Sequence, residues 1–208
     1  MNDAADVQVF AVIPAAGQSK RMGQPKQLLP LGGWTLLEHV IEAVLEGDID
    51  GLCVVVSSAI DNELLLREDP RFRVAVNDDA GSQMLDSIVI GLGALRERCP
   101  VRDIDACLVC PGDMPGVSSQ DCRELTRAYR EHPGSIVVAA HAGARGHPMV
   151  FPVSMSNEAQ RITEGGLRVL IQRHADCLRL VERDTRGVIE DVNTPADWAR
   201  WEQQAYSE

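Results

Sequence analysis

The chain predicts an α/β fold, a mostly parallel central sheet flanked by helices, running as one domain over residues 1–208. Three observations carry that expectation. Apolar runs of strand length alternate with stretches of helical spacing along the whole sequence. The first run, "VQVFAVI" at 7–13, is apolar almost without a break, as expected of a strand covered on both faces. No internal repeat, low-complexity tract or Pro/Gly linker marks a second unit, and 208 residues suffice for one well-buried core.

Taken in order, "TLLEHVIEAVLEG" has helical spacing and stops at Gly47. "GLCVVVSS" reads as a strand and "AIDNELLLRED" as a helix ending near Pro70. "FRVAVN" is a strand and "SQMLDSIVIGLGALRERC" a long helix. "DACLVC" is a buried strand running into "PGDMP", and "SSQDCRELTRAYREH" opens a helix on capping serines. "SIVVAA" and "HPMVF" are strands, "GGLRVLIQRHA" is a short helix, and "CLRLVE" and "GVIEDV" are strand-like. "TPADWARWEQQA" closes as a helix with Pro195 in its first turn. Ligands in such sheets collect at the carboxyl ends of the strands, where the polar loops 14–26, 78–82, 111–115 and 191–194 fall.

A net charge of −11 argues against general nucleic-acid binding, which needs a broad basic face. No apolar run reaches membrane-spanning length and no secretory leader pattern precedes the first strand, so a cytoplasmic location without a membrane partner is expected. The six cysteines are scattered through apolar runs and read as buried, reduced thiols. Cys107 and Cys110 have C-x-x-C spacing, but residues three apart on a strand face opposite ways and do not share a metal.

The stretch "FAVIPAAGQSKRMGQPKQLLPLGG" holds both lysines of the chain, Lys20 and Lys26, with Arg21 between them. Gly17 and Gly23 permit tight turns that aim backbone N–H groups at an anion, and Ala15 and Ala16 keep side chains clear. Arg21 offers a planar fork of donors to phosphate oxygens and Lys26 a mobile point charge. The alternative is a solvated surface loop. The glycine spacing matches neither G-x-G-x-x-G nor G-x-x-x-x-G-K-[ST]. "LVCPGDMP" delivers Asp113 at a strand end, a suitable Mg²⁺ ligand, and "IEDVNTPAD" delivers Asp191 from what reads as a second strand end. Two such carboxylates can share one ion that also holds substrate phosphates, although Asp191 also suits a turn or cap before the last helix.

These motifs resemble a known family. "PAAGQSKRMGQPKQLLPLGGWTLLEHV", then "NDDAGSQMLDSIVIGL", "PGDMPGVS", "GARGHPMVF", "GGLRVL" and "EDVNTPADW", are similar in kind and order to the molybdopterin nucleotidyltransferases, particularly the molybdenum cofactor cytidylyltransferases. The resemblance implies a Rossmann-like nucleotidyltransferase fold and a Mg²⁺-dependent transfer of CMP from CTP to the terminal phosphate of molybdopterin, with pyrophosphate released. It also implies a molybdoenzyme as recipient of the product. It assigns the Ala15, Ala16 and Gly17 backbone to the base and phosphates, Arg21 and Lys26 to the triphosphate, and Gly81 with Ser87 to the base or ribose. Asp113 and Asp191 become the Mg²⁺ ligands, with Arg21, Lys26 and Asp113 as the catalytic set. Gly146, His147 and Pro148 line the side where the pterin phosphate enters. The chain departs from the cytidylyl pattern at Asn193, where aspartate is more usual and asparagine suits a guanylyl branch, and at Thr163-Glu164.

Guanylyl transfer, nucleotidyl transfer to a sugar or polyol phosphate, and a non-catalytic maturation module stand as alternatives. "PAAG" in place of a second glycine argues against the first, "GHPMVF" against the second, and intact Arg21, Lys26, Asp113 and Asp191 against the third. Arg145 and Arg168 are further substrate candidates. His39 reads as structural, and Trp198 and Trp201 share a helical face expected to pack on the sheet.

Overall fold

The computed structural model describes residues 7–17, 19, 21–61, 68–162 and 164–205. The strands are β1 (Val9–Pro14), β2 (Pro30–Leu31), β3 (Trp34–Thr35), β4 (Gly51–Val56), β5 (Phe72–Val76), β6 (Ala106–Val109), β7 (Ile136–His141), β8 (Ala144–Pro152) and β9 (Leu178–Glu182). The helices are α1 (Leu36–Leu45), α2 (Ser58–Asp61), α3 (Met84–Arg96), α4 (Ser119–Glu131), α5 (Ser156–Gln160), α6 (Leu167–Arg173) and α7 (Pro195–Ala205). The helix expected over 59–69 is described only through α2, because 62–67 lie outside the described residues.

A seven-stranded sheet has the order β5-β4-β1-β6-β8-β7-β9. β1 pairs parallel with β4 and β6, β4 with β5, and β7 with β9, while β8 runs antiparallel to β6 and β7. The sheet is therefore mostly parallel, as the sequence implies. Alternate β1 residues feed two cores. Val9, Ala11 and Ile13 pack with Val40 and Val44 of α1 and Leu125 of α4 on one face. Phe10 and Val12 pack with Ile88 and Leu92 of α3 and Leu170 of α6 on the other. Cys107 and Cys110 fall in opposite cores, as their spacing requires, and all six cysteines are free thiols. Chain order reverses at β1, with β4 and β5 to one side and β6 to the other, so clefts open at the carboxyl ends of β1 and β6.

"GVIEDV" is not a strand. It forms a 3-10 turn over Arg186–Val188 and then crosses the carboxyl edge without a ladder. The reason is close backbone packing. A Cβ on Gly187 would collide with the Gly116 carbonyl, and one on Gly146 with the Val188 carbonyl. Val192 N–H instead donates to the Asp113 carbonyl at 2.9 Å, so Asp191 reaches the site from an irregular segment rather than a strand end. The short β2–β3 hairpin and α5 have no counterpart in the sequence reading. Trp198 and Trp201 pack not on the sheet but on a small cluster of Leu29, Leu31, Leu36 and Val192. Trp198 Nε1–H donates to the Pro30 carbonyl at 3.2 Å, so α7 clasps the hairpin and holds segment 191–193 over the loop after β1.

Candidate active site

The loop after β1 is shaped from within by Gln27, whose side chain is only 3% exposed. Its Nε2 donates to the carbonyls of Ala15 (2.8 Å) and Gly17 (3.2 Å), and its Oε1 accepts from Ser19 Oγ at 3.2 Å. Ser19 Oγ in turn accepts from Lys26 N–H at 3.1 Å. Ala15 N–H is fixed to the Val55 carbonyl at 2.7 Å, tying the loop to β4. Gly23 turns at φ 69°, as its expected conformational freedom allows, while Gly17 keeps φ outside the left-handed region. Gln18 and Lys20 lie outside the described residues.

Lys26, Asp113, Asn193, Arg21 and Asp191 meet at one point. Lys26 Nζ is 2.6 Å from Asp113 Oδ2, with side chains 12% and 21% exposed. The same ammonium donates to Asn193 Oδ1 at 2.9 Å, and Arg21 Nη2 donates to that oxygen at 3.1 Å. Asn193 Nδ2 donates to Asp191 Oδ2 at 2.5 Å. Asn193 is thus the hub joining two cations to a carboxylate, and its position follows from the backbone. Its N–H and that of Thr194 donate to Asp197 Oδ2, at 3.2 and 2.8 Å, which caps α7. Hydrogen bonds from Thr194 hold the Asp197 carboxyl below its ordinary range.

A cleft of about 410 Å³ opens beside this cluster, lined by Ala16, Gly17, Asp79, Ser82, Met84, Ser87 and Asp113 among others. Asn77 organises its far wall, donating to Ser82 Oγ at 2.7 Å and Ser87 Oγ at 3.4 Å. Ser87 faces the cleft; Gly81 does not line it, though its neighbours Ala80 and Ser82 do. At the N-terminus of α3, the capping box of Gln83 and Asp86 satisfies the N–H groups of those two residues. A smaller cleft of about 240 Å³ holds Ala15, Arg21, Lys26, Gln27, Gly112, Asp113 and Asn193. The basic groups therefore flank one end of the larger cleft.

A third cleft of about 400 Å³ shares Met84 with the first and is lined by Arg145, Gly146, His147, Gly165, Gly166 and Arg168. Pro148 is buried behind it rather than lining it. Burial pushes the His147 imidazole below its ordinary 6.5, against opposing pulls from the Val109 carbonyl, Asp113 and Asp191. Its Nδ1 is buried without a hydrogen-bond partner among the described residues. Glu164 is exposed, and Thr163 lies outside the described residues. His39 Nε2 contacts the Leu31 carbonyl at 2.8 Å and its ring lies 5.6 Å from Trp34, a structural placement.

Among the described residues no group of three or more His, Cys, Asp or Glu side chains converges as a metal cage. Asp113 and Asp191 each engage one carboxylate oxygen, Oδ2, in the contacts above. That leaves Oδ1 on each, a donor set suited to a hard cation that takes one or two carboxylates and completes its shell with water and phosphate. Gln27 and Asn77 escape a motif search because neither is charged. The signal for Gln27 is an amide standing directly before the apolar "LLPL".

Comparison with known proteins places the chain in a family. A family model described as the MobA-like NTP transferase domain matches residues 11–177. The chain is 32% identical over 206 residues to a probable molybdenum cofactor guanylyltransferase of Rhodopirellula baltica, covering 95% of this chain and 93% of that protein. It is 30% identical over 196 residues to nicotine blue oxidoreductase of Paenarthrobacter nicotinovorans, covering 89% and 92%. The crystal structure of Mycobacterium tuberculosis Rv0371c in complex with manganese superposes with a TM-score of 0.75 at 25% identity, covering 95% of this chain and 99% of that one.

Proposed function

The chain belongs to the MobA-like NTP transferase family, and from that premise we propose that residues 1–208 form one nucleotidyltransferase domain transferring CMP from CTP to the terminal phosphate of molybdopterin. Pyrophosphate leaves, and a molybdoenzyme receives the product. The observation that carries the reading is the network at one end of the larger cleft in which Arg21, Lys26 and Asp191 bond Asn193 and Lys26 pairs with Asp113. A triphosphate laid along that cleft meets the Ala15–Gly17 backbone first and the two cations last.

Positioning and charge stabilisation do most of the work in phosphoryl transfer. Arg21 and Lys26 neutralise the departing pyrophosphate, and Ser87 with the Gly81 turn holds the base or ribose. Gly146 and His147 shape the entry of the acceptor, backed by the buried Pro148, with Arg145 and Arg168 also lining the cleft. Because the imidazole of His147 is held neutral, it orients the acceptor rather than adding charge. No general base is needed, since the acceptor phosphate is ionised near neutral pH. When bound at Asp113 and Asp191, Mg²⁺ supplies charge neutralisation at the α-phosphate. With a cation held at Asp113, the Lys26 ammonium that now pairs with that carboxylate would be available to a phosphate oxygen.

Ala16 lines the larger cleft, and an alanine there in place of a second glycine supports the cytidylyl reading. A guanylyl reading is favoured by Asn193 and by the Rhodopirellula relative. The deciding experiment follows label from the α-phosphate of CTP, and separately of GTP, into molybdopterin with Mg²⁺ present. Label moving from CTP supports the proposal, label from GTP alone transfers it to the guanylyl branch, and label from neither overturns both.

A further inference from the structure

The geometry points to Gln27 as the positioning residue that presents the anion-binding backbone of the loop after β1. This deepens the nucleotide-binding part of the proposed function and rests on it. An amide has two N–H donors, and both of Gln27's go to main-chain carbonyls, Ala15 at 2.8 Å and Gly17 at 3.2 Å. Its oxygen accepts from Ser19 Oγ at 3.2 Å, and that hydroxyl oxygen accepts from Lys26 N–H at 3.1 Å. One side chain therefore fixes two peptide groups of the loop and, through Ser19, the station of Lys26.

The peptide group is planar and trans, so its C=O and N–H point in opposite directions. With the Ala15 carbonyl turned inward onto Gln27, the N–H of Ala16 is turned outward, on the side where Ala16 and Gly17 line the larger cleft. The bland alternative is a buried amide satisfied where it happens to fall. Against it, Gln27 is 3% exposed and yet borders the smaller cleft with Lys26, Arg21 and Asp113. A carboxylate of the same shape fits the space but not the chemistry, because it offers lone pairs to two carbonyl oxygens. Among charged and polar replacements, glutamate is therefore the sharpest probe.

The experiment measures equilibrium binding of CTP with Mg²⁺ by calorimetry for wild type, Gln27→Glu and Ser19→Ala, from about pH 8 down to about pH 5, alongside thermal midpoints. Hydrogen-bond partners that orient metal ligands are worth roughly 10–100-fold; Gln27 orients backbone donors in the same way, and a loss of that order is expected for Gln27→Glu at the upper pH. Burial against carbonyls raises the introduced carboxyl above its ordinary value of about 4.3. Once protonated it regains one donor, so the ratio of variant to wild-type affinity should climb as pH falls. A merely structural role lowers the thermal midpoint but leaves CTP affinity unchanged at temperatures where the variant is folded. Ser19→Ala removes only the outer link, folds if Gln27→Glu does not, and is expected to weaken CTP by a smaller factor. Wild-type affinity in both variants at the upper pH, or a Gln27→Glu defect that acid does not relieve, would overturn the inference. Wild-type protein that binds CTP without transferring CMP would overturn the transfer reading alone, and failure of wild type to bind CTP would overturn both.

Discussion

Replacing Lys26 by alanine separates catalysis from stability by magnitude. The ammonium makes two close contacts, 2.6 Å to Asp113 Oδ2 and 2.9 Å to Asn193 Oδ1, from a side chain only 12% exposed. Hydrogen bonds to charged groups contribute about 1.5–3 kcal/mol, so the loss of these contacts should destabilise the fold by about 2 kcal/mol. For a chain of this size that is a fall of roughly 4–8 °C in thermal midpoint. Against a total stability of about 5–15 kcal/mol, nearly all molecules remain folded at 25 °C. Losing one preorganised charge donor at a developing anion costs about 2.7–4 kcal/mol of barrier, roughly a hundred- to a thousandfold in kcat. The two effects are distinguishable because unfolding at that level removes only a small share of the activity. The assay is pyrophosphate release at saturating nucleotide and acceptor, with thermal midpoints measured on the same samples. Lys20→Ala, chosen from the sequence alone as a comparison on the same loop, should change the rate by less than about tenfold, because no phosphate contact is expected of Lys20. Equal, modest losses in Lys20→Ala, Arg21→Ala and Lys26→Ala would mean that the loop supplies only diffuse positive charge and no specific cradle.

Asp113→Ala should abolish turnover while circular dichroism reports an intact fold; normal activity with normal metal dependence would reduce "PGDMP" to a turn. Ala16→Gly opens the wall of the larger cleft and should raise turnover with GTP relative to CTP, so an unchanged ratio would detach base choice from this position. The Asp197 carboxyl lies below its ordinary 3.8 in the folded chain, so its contribution is present above that value and lost as pH falls through the lower folded value. Thermal midpoints should accordingly drop more steeply in acid for wild type than for Asp197→Asn, and parallel curves would contradict the capping role. Burial pushes the Cys53 thiol to about 12 and also raises Cys107, Cys110 and Cys122. Native alkylation near pH 8 should therefore reach only the part-exposed Cys99 and Cys177, and prompt labelling of Cys107 would count against the two-faced core.

The sheet and its main helices are legible in the sequence because burial on both faces leaves an unbroken apolar run such as "VQVFAVI", and helices leave a periodic one. The β2–β3 hairpin is not legible, since two-residue strands carry no period. "GVIEDV" misleads for a different reason. Its apolar spacing suits a strand, but Gly187 and Val188 are wedged against the backbones of Gly116 and Gly146, contacts made across long sequence separations. The basic loop and Asp113 announce themselves by charge and by their place after apolar runs. Asn193 attracts notice only as a departure from a motif. Its position at the hub depends on the Val192 N–H bonding to the Asp113 carbonyl and on α7 clasping the hairpin, and no local pattern encodes either. Gln27 and Asn77 are uncharged amides whose importance lies in what they orient.

The most direct test of the account is pyrophosphate release by the wild-type protein from CTP and from GTP, each with Mg²⁺, with and without molybdopterin. Release from CTP should require the pterin and outpace release from GTP. No pterin-dependent release from either nucleotide would contradict the account at its centre.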